Sequence, residues 1–334
     1  MESGGGQDRL SSLPDDILTE ILSRLPIKSA ISISVLSHRW RHHWTGVTRL
    51  EFCTISTFKL NYILQNLTSP KLEVLNYSHN NGQDTFRQKV LQVISSILFP
   101  IPECLLNCRS LVILDLFGPF ARESDAYRDV DIQLPNLKRL SLRSLTYLPH
   151  WFGSLRKSSP LLEDLTLRSS QHFMESLNAM QSMNIFFPNL KSLELGLVPY
   201  NVYQTPDNYS IISIDAPKLT NLVTYGCVLP YGFRTNPTAL VKACIDLRRC
   251  EMRYEEFEDL DVELHRFSEF FKGMTSVTNS LDLVVQWQMD IFTYLNKVNP
   301  PIMFFHLVRL KVTLCEFSLN NAMIFWFRCN ASPT

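Results

Sequence analysis

The stretch from Asp8 to Phe52, DRLSSLPDDILTEILSRLPIKSAISISVLSHRWRHHWTGVTRLEF, decides the fold of this chain. Pro14 with two aspartates behind it predicts a helix start, because proline fits the first helical turn and carboxylates there oppose the positive end of the helix dipole. Apolar residues then recur at three- and four-residue spacing and put a broad apolar stripe on one side of that helix: Ile17, Leu18, Ile21, Leu22 and Leu25. Pro26 ends the predicted helix.

Two more short helices are predicted behind that proline. Ile27, Ile31 and Val35 lie four residues apart in the second, and Trp40 and Trp44 lie four apart in the third. Three short helices bury too little surface for a stable core of their own, yet this segment carries more apolar side chains than its interior needs. If about five of these side chains stay in water, the chain forgoes about 10 kcal/mol of hydrophobic free energy, at about 1.5 to 3 kcal/mol for each side chain. The segment therefore predicts a partner surface.

The same segment resembles the F-box of plant F-box proteins with leucine-rich repeats. The resemblance lies in Leu13-Pro14-Asp15, in residues 21–26 (ILSRLP), in residues 34–37 (SVLS) and in Arg39-Trp40-Arg41 with Trp44. It implies docking onto the Skp-type adaptor, and through it the cullin, of an SCF-type cullin-RING ubiquitin ligase. By match to the motif, the adaptor-contacting residues are Leu13, Pro14, Ile17, Leu18, Ile21, Leu22, Leu25, Pro26, Val35, Leu36, Arg39 and Trp40. The alternative, that the helices only cap the domain behind them, stays open.

Length, composition and charge limit the class of protein. The 334 residues, 45% hydrophobic and 19% charged, are typical of a folded chain with two domains or one domain plus an elongated array. Its 32 basic residues equal its 32 acidic ones, so the sequence predicts neither a nucleic-acid nor a membrane partner. The N-terminus lacks the apolar core of a secretory signal, which predicts an intracellular protein of the cytoplasm or nucleus with reduced cysteines.

A leucine-rich pattern follows the helical segment. Copies of apolar-x-x-apolar-x-apolar begin at residues 47, 72, 111, 137, 162, 190, 219, 247, 278 and 307. Their intervals are 25 to 31 residues, apart from 39 between 72 and 111, close to the period of roughly 20 to 29 in leucine-rich repeats. Unrelated strands in a sandwich would not explain so even an interval.

The predicted fold class is therefore an α/β solenoid. It comprises a disordered tail at residues 1–7, a three-helix F-box at 8–52, and an irregular leucine-rich-repeat array at 53–334 with a parallel sheet on its concave face. Regular repeats place an asparagine at the bend after each strand, whereas this chain has Leu145, Ser170, Val198 and Cys227 there, which predicts irregular connections. Apolar residues at helical spacing in 90–98 and 257–271 predict helices on the convex side.

The variable residues of each strand should point from the concave face, while the leucines point into the core. Arginine and aromatic side chains dominate many binding hot spots, so this face is the predicted target-binding surface. The candidates are Phe117, Arg139, Arg143, Asp164, Arg168, Glu194, Tyr225, Arg249 and Arg253. A satisfied, solvent-exposed sheet would give the same pattern.

Enzyme signatures are absent from the sequence, which has no phosphate-binding glycine-rich loop, paired-histidine helix motif or nucleophile elbow. The cysteine spacing does not fit a zinc site, so no metal and no cofactor is expected, while a small-molecule co-ligand in the repeat array stays open. Histidines and arginines alternate with tryptophans in residues 38–44, a pattern that suggests a nucleic-acid contact. The competing explanation is that the tryptophans face inward and the basic residues cover the outside.

The sequence thus predicts a non-catalytic substrate receptor of a ubiquitin ligase, with residues 8–52 holding the adaptor and the repeats holding a protein target. A repeat scaffold or ligand sensor with an F-box-like end cap is the alternative. A hydrolase is a remote third option for which no residue set can be nominated. The chain stops where the next repeat is due and shows no polar capping unit, so we expect a C-terminally truncated or alternatively spliced product.

Overall fold

The computed structural model describes residues 12–35, 38–53, 57–67, 71–78, 103–118, 132–145, 150–169, 184–197, 212–226, 231–247, 268–286 and 302–315. Within these ranges the chain begins with helices and continues mainly as parallel strands. The helices are α1 (Asp15–Ser23), α2 (Ile27–Ile33), a 3-10 helix (Trp40–Gly46), α3 (Thr57–Asn66), α4 (Glu103–Leu106), a second 3-10 helix (His150–Ser154) and α5 (Leu155–Ser158). Residues 268–273 are also helical.

The N-terminal helices begin where the prolines predict. Pro14 and Pro26 directly precede α1 and α2 with extended backbone, and two acidic residues occupy the first turn of α1. Trp40 is buried and Trp44 packs against the same core. The tryptophans therefore face inward, as the competing explanation for the basic stretch at 38–44 predicted.

Ten parallel strands form one sheet in chain order. They are β1 (Arg49–Cys53), β2 (Val74–Ser78), β3 (Ile113–Phe117), β4 (Arg139–Leu145), β5 (Asp164–Ser169), β7 (Ser192–Gly196), β9 (Asn221–Tyr225), β11 (Lys242–Asp246), β12 (Ser280–Gln286) and β13 (Arg309–Cys315). Equivalent leucines lie side by side, so that Leu165 of β5 is flanked by Leu140 and Leu193. Nine of the ten predicted repeat starts lie two residues before a strand of this sheet.

The predicted repeat at 247 is wrong. The strand between β9 and β12 is β11, and the leucine two residues before it is Leu240. A backbone hydrogen bond sets the register of β11 against β12: the amide of Asn279, just before β12, donates to the carbonyl of Val241, just before β11, at 2.9 Å. The buried residues of this copy are Leu240, Ala243 and Ile245. Alanine in the middle position hid the copy from a pattern of large apolar residues.

A second, smaller sheet was not predicted. Its strands are β6 (Asn184–Phe186), β8 (Ile212–Asp215) and β10 (Tyr231–Phe233), all parallel, in the order β10-β8-β6. β6 and β8 each end two residues before a proline, Pro188 or Pro217, and they bury Ile185 and Ile214. Short apolar alternations before these prolines were the only signal, and three or four residues are too few to distinguish a strand from a loop.

One continuous hydrophobic core joins the N-terminal helices to the large sheet. Leu18 and Leu22 of α1 belong to the same cluster as Leu50 of β1. The amide of Thr48 donates to Ser23 Oγ at 3.2 Å, so the end of α1 is bonded to the residue just before β1. The helices therefore pack beside β1, which is the edge strand of the ten-stranded sheet.

The connections are irregular at the ends of two strands. Ser144 has a positive φ of 64°, and the pairing of β4 with β5 shifts register between Leu142 and Leu145. After β9 the positive φ of 80° falls on Gly226, where a residue without a Cβ adopts it at no steric cost. The predicted helix at 90–98 lies outside the described residues, and only the end of the one at 257–271 is described, with Phe271 buried.

Candidate functional site

The N-terminal helices expose apolar side chains to solvent. Pro14, Ile17 and Ile21 follow one another along α1 at three- and four-residue spacing; the two prolines at 14 and 26 are exposed, and Ile17 is 47% exposed. Val35, just beyond α2, is 84% exposed. Because exposed apolar groups clustered on one element mark interaction sites, these residues are the candidate docking surface.

Three of the predicted adaptor contacts instead form the chain's own core. Leu18, Leu22 and Trp40 are buried against the helices and β1. Leu13 and Leu25 are half-buried against the same cluster, and Leu36 lies outside the described residues. The buried members shape the surface, so the exposed members of the set are the ones that a partner can reach.

Arg39 ties the two ends of the helical segment together. Its guanidinium donates to the carbonyl of Leu13 and, at 2.8 Å, to the carboxylate of Asp15. His43 Nε2 lies 3.6 Å from the same carboxylate. The hydrogen bond from Arg39 is the main reason that the pKa of Asp15 lies below its ordinary value. These contacts fix the residues around Pro14 against the 3-10 helix.

The predicted target-binding residues of β3 to β7 pair with one another across the sheet. Arg139 lies 3.3 Å from Asp164, Arg143 lies 2.8 Å from Asp115, and Arg168 bonds Glu194. We call the side of the large sheet that carries these pairs its polar face. Exposed pairs of this kind contribute little stability, but they cancel most of the charge on this part of the face.

Gly196 makes room for one further contact on the polar face. The guanidinium carbon of Arg168 lies 3.9 Å from the centre of the Tyr225 ring, reaching across the strand that carries Gly196. A Cβ on Gly196 would lie 3.3 Å from Tyr225 Cβ and 3.5 Å from Arg168 Cγ. Burial, partly offset by Arg168, raises the pKa of the Tyr225 hydroxyl. Arg168 is therefore held by both a carboxylate and a ring.

A groove of about 400 Å³ lies at strands β1 to β4. Its lining includes Glu51, Asn76, Tyr77, Asp115, Phe117 and Arg143. Burial raises the pKa of the Tyr77 hydroxyl, which keeps it neutral. Glu51 and Asn76 were not among the predicted site residues, although the repeat register places them at variable positions of the first two strands.

The eighth strand of the polar face differs from the prediction. Arg249 and Arg253 lie outside the described residues, and β11 places Lys242 and the buried Asp246 in the two rows where those arginines were expected. The thiols of Cys244 and Cys108 are not joined in a disulfide. In the described ranges, His, Cys, Asp and Glu side chains form no group of three or more that could hold a metal ion. None of the described helices has both the length and the apolar character needed to cross a membrane.

Comparison with known families identifies the helical segment. Residues 10–52 match the F-box domain. This stretch of the chain is therefore an F-box domain. The matched F-box residues run from just before α1 into β1, which agrees with the shared core of helices and sheet.

The similar proteins are F-box proteins of Arabidopsis thaliana. An FBD-associated F-box protein is 31% identical over 242 residues, which are 64% of this chain and 54% of the relative. An F-box/LRR-repeat protein is 29% identical over 283 residues, 74% of this chain and 70% of the relative. A second F-box/LRR-repeat protein is 28% identical over 314 residues, 83% of this chain and 57% of the relative. The chain spans about half to about two thirds of these relatives, and their names confirm the resemblance to plant F-box proteins with leucine-rich repeats.

Proposed function

We propose that this F-box protein is the substrate-recognition subunit of an SCF-type cullin-RING ubiquitin ligase. In this proposal the F-box helices bind the Skp-type adaptor, which connects the chain to the cullin, and the strands beyond residue 52 bind a protein target. The observation that carries it is the exposed apolar surface within the matched F-box, formed by Pro14, Ile17, Pro26 and Val35, with the half-buried Ile21 beside them. An intracellular location is part of the proposal, because the adaptor and the cullin work inside the cell.

The sheet fits the role of a target-binding array. Strands in chain order that repeat the same leucine pattern support a leucine-rich-repeat solenoid over residues 53–334, with the polar face as its concave side. Such a subunit is non-catalytic: it raises the effective concentration of the target beside the ubiquitin carrier and needs no cofactor. The ion-paired side chains from Arg139 to Tyr225 remain the proposed target surface.

The adaptor test uses substitutions in the exposed row of the F-box. The double variant Ile17→Asp with Val35→Asp should bind purified adaptor about a hundredfold or more weakly, because two side chains worth about 1.5 to 3 kcal/mol each lose their apolar contact. Val308→Asp is the matched control, since Val308 is 82% exposed but lies beside β13, at the other end of the sheet. The proposal fails if the wild type does not bind adaptor or if the double variant binds it equally well.

A capping role for the helices is the second candidate, favoured by their hydrogen bond and shared core with β1. Deleting residues 1–46 distinguishes the two. If the helices are only a cap, the chain without them should aggregate or unfold, and the intact chain should not bind adaptor. A docking module should confer adaptor binding on the intact chain whatever the deletion does to the sheet.

A further inference from the structure

The groove at strands β1 to β4 combines a carboxylate, a fixed ion pair and an exposed aromatic ring. Its volume of about 400 Å³ lies in the range of small-ligand sites, which is enough space for one long side chain. β1 directly follows the F-box 3-10 helix, so the groove lies at the F-box end of the sheet. Anything held there would be close to the proposed adaptor-docking surface.

Among the described residues that line the groove, Arg143 is the single arginine, and its charge is already neutralised. Arg143 donates to both carboxylate oxygens of Asp115, at 3.0 and 2.8 Å, and its Nε donates to Ser141 Oγ at 3.0 Å. Three hydrogen bonds fix the guanidinium, and the carboxylate cancels its charge. The pair therefore contributes shape and polarity to the groove with little net charge.

Glu51 supplies the remaining charge. Its carboxylate accepts a long hydrogen bond of 3.5 Å from the amide of Asn76, and in the described part of the chain it forms no ion pair. Arg49 lies on the same strand two residues earlier but does not line the groove. After the charges of Arg143 and Asp115 cancel, the described lining of the groove carries about one negative charge, which suits a cation.

Phe117 adds a surface for the stem of such a cation. The residue is 36% exposed and lies in the strand pairing opposite Arg143, one row further along the face than Asp115. Glu51 and Phe117 stand two strands apart and two residues apart along the strand direction, which gives a Cα separation of about 12 Å at the usual strand spacing and rise. Because both side chains line the same groove, a lysine or arginine side chain can lie between them with its methylenes on the ring and its charge at the carboxylate.

We propose that this groove binds a lysine or arginine side chain of the protein target. The inference rests on the proposed function in one respect, which is that the bound side chain belongs to a target of the ligase. Charge complementarity selects the basic side chain, and the aromatic wall selects a long one. The groove thereby becomes the anchor point of the target at the F-box end of the polar face.

The test titrates the full chain, purified without adaptor, with three capped tripeptides: acetyl-Gly-Lys-Gly-amide, its arginine analogue and its glutamate analogue. Calorimetry should show binding of the two cationic peptides and at least about tenfold weaker binding of the glutamate peptide. Glu51→Gln and Phe117→Ala should each lower the affinity for the two cationic peptides about fivefold or more. Arg49→Gln is the matched control on the same strand and should leave the affinity for the cationic peptides unchanged.

Three results would overturn the inference: equal binding of the three peptides, no binding of any of them, or an unchanged affinity of the lysine peptide for Glu51→Gln. A preference for the glutamate peptide would also overturn it, because Arg143 would then be the anchor. Adaptor binding is measured on the same preparations. A chain that selects cationic peptides without binding adaptor would contradict the proposed function and leave the groove intact, whereas the reverse result would contradict only the groove.

Discussion

The F-box helices and the polar face of the sheet expose opposite kinds of surface. The helices leave Ile17 and Val35 exposed to solvent, while the sheet pairs Arg143 with Asp115 and Arg168 with Glu194. The helical surface thus gains free energy whenever any complementary apolar partner covers it. The polar face is already satisfied and gains only from a partner that matches its shape and its remaining charges.

The comparison separates two ways of recruiting a protein. An exposed apolar row suits a constant partner, because burial alone provides affinity. A face of cancelled ion pairs suits a selective partner, because a wrong residue leaves charges unpaired at a cost. This division agrees with the proposal that the F-box helices bind one adaptor and that the sheet binds a specific target.

The largest expected effect tests whether α1 really has a buried and an exposed side. Leu22→Ala should lower the free energy of unfolding by about 2 to 5 kcal/mol, because Leu22 is 1% exposed and its removal leaves a cavity. Ile17→Ala, on the exposed side, should lower it by less than about 1 kcal/mol. Urea denaturation of both variants measures the difference. Equal losses would show that Ile17 is covered by its own chain and would remove the docking surface.

A smaller effect tests the contact between the two regions. Ser23→Ala should lower the free energy of unfolding by about 1 to 3 kcal/mol, because the amide of Thr48 loses its acceptor. Ser32→Ala is the matched control: its hydroxyl makes the same bond to the carbonyl four residues back, but it is exposed and serves one helix alone. If both variants unfold at the same urea concentration, the Ser23 contact does not couple α1 to the sheet.

The smallest expected effect is on the pKa values of two carboxylates, Asp15 in the F-box helices and Glu163 just before β5. Because Arg39 lowers the pKa of Asp15, the stability of this pair is fully present above the ordinary value of 3.8 and is lost as the pH falls through the lower value in the folded protein. Arg39→Gln should raise the pKa of Asp15 toward 3.8, measured by carbon-13 titration of the side-chain carboxyl.

Glu163 on the sheet provides the control for that titration. Its pKa is lowered chiefly by the hydrogen bond from Lys191, so it should respond to Lys191→Gln and not to Arg39→Gln. A shift of Asp15 in the lysine variant, or no shift in the arginine variant, would contradict the assignment of Arg39 as the residue that fixes the start of α1.

Much of the architecture could be predicted from local patterns. The prolines at 14 and 26 set the helix starts, and leucines at strand periodicity located nine of the ten strands of the large sheet. The eighth strand was misplaced because Ala243 is small, although it is as buried as the leucines beside it. The second sheet was missed because its strands have three or four residues and acquire their conformation from neighbours in other repeats.

The candidate sites were predictable only in part. The motif located the proposed docking segment, but periodicity could not say that Leu18, Leu22 and Trp40 are buried while Ile17 and Val35 are exposed. That division depends on β1, against which the helices pack. Similarly, the register predicted which side chains share the polar face, but it did not single out Glu51 as the carboxylate left without a cation in the groove.

The sequence by itself determined the starts of the first two helices, nine of the ten strands of the large sheet and the resemblance to F-box proteins, because each of these is recorded in the spacing of nearby residues. Only the tertiary structure decided which groups remain available to partners. Arg39 reaches Leu13 across 26 positions and Arg143 reaches Asp115 across 28, so their contacts exist only after the chain has brought distant segments together. Exposure and charge pairing are properties of such contacts, and for that reason the binding surfaces could be located only in the folded molecule.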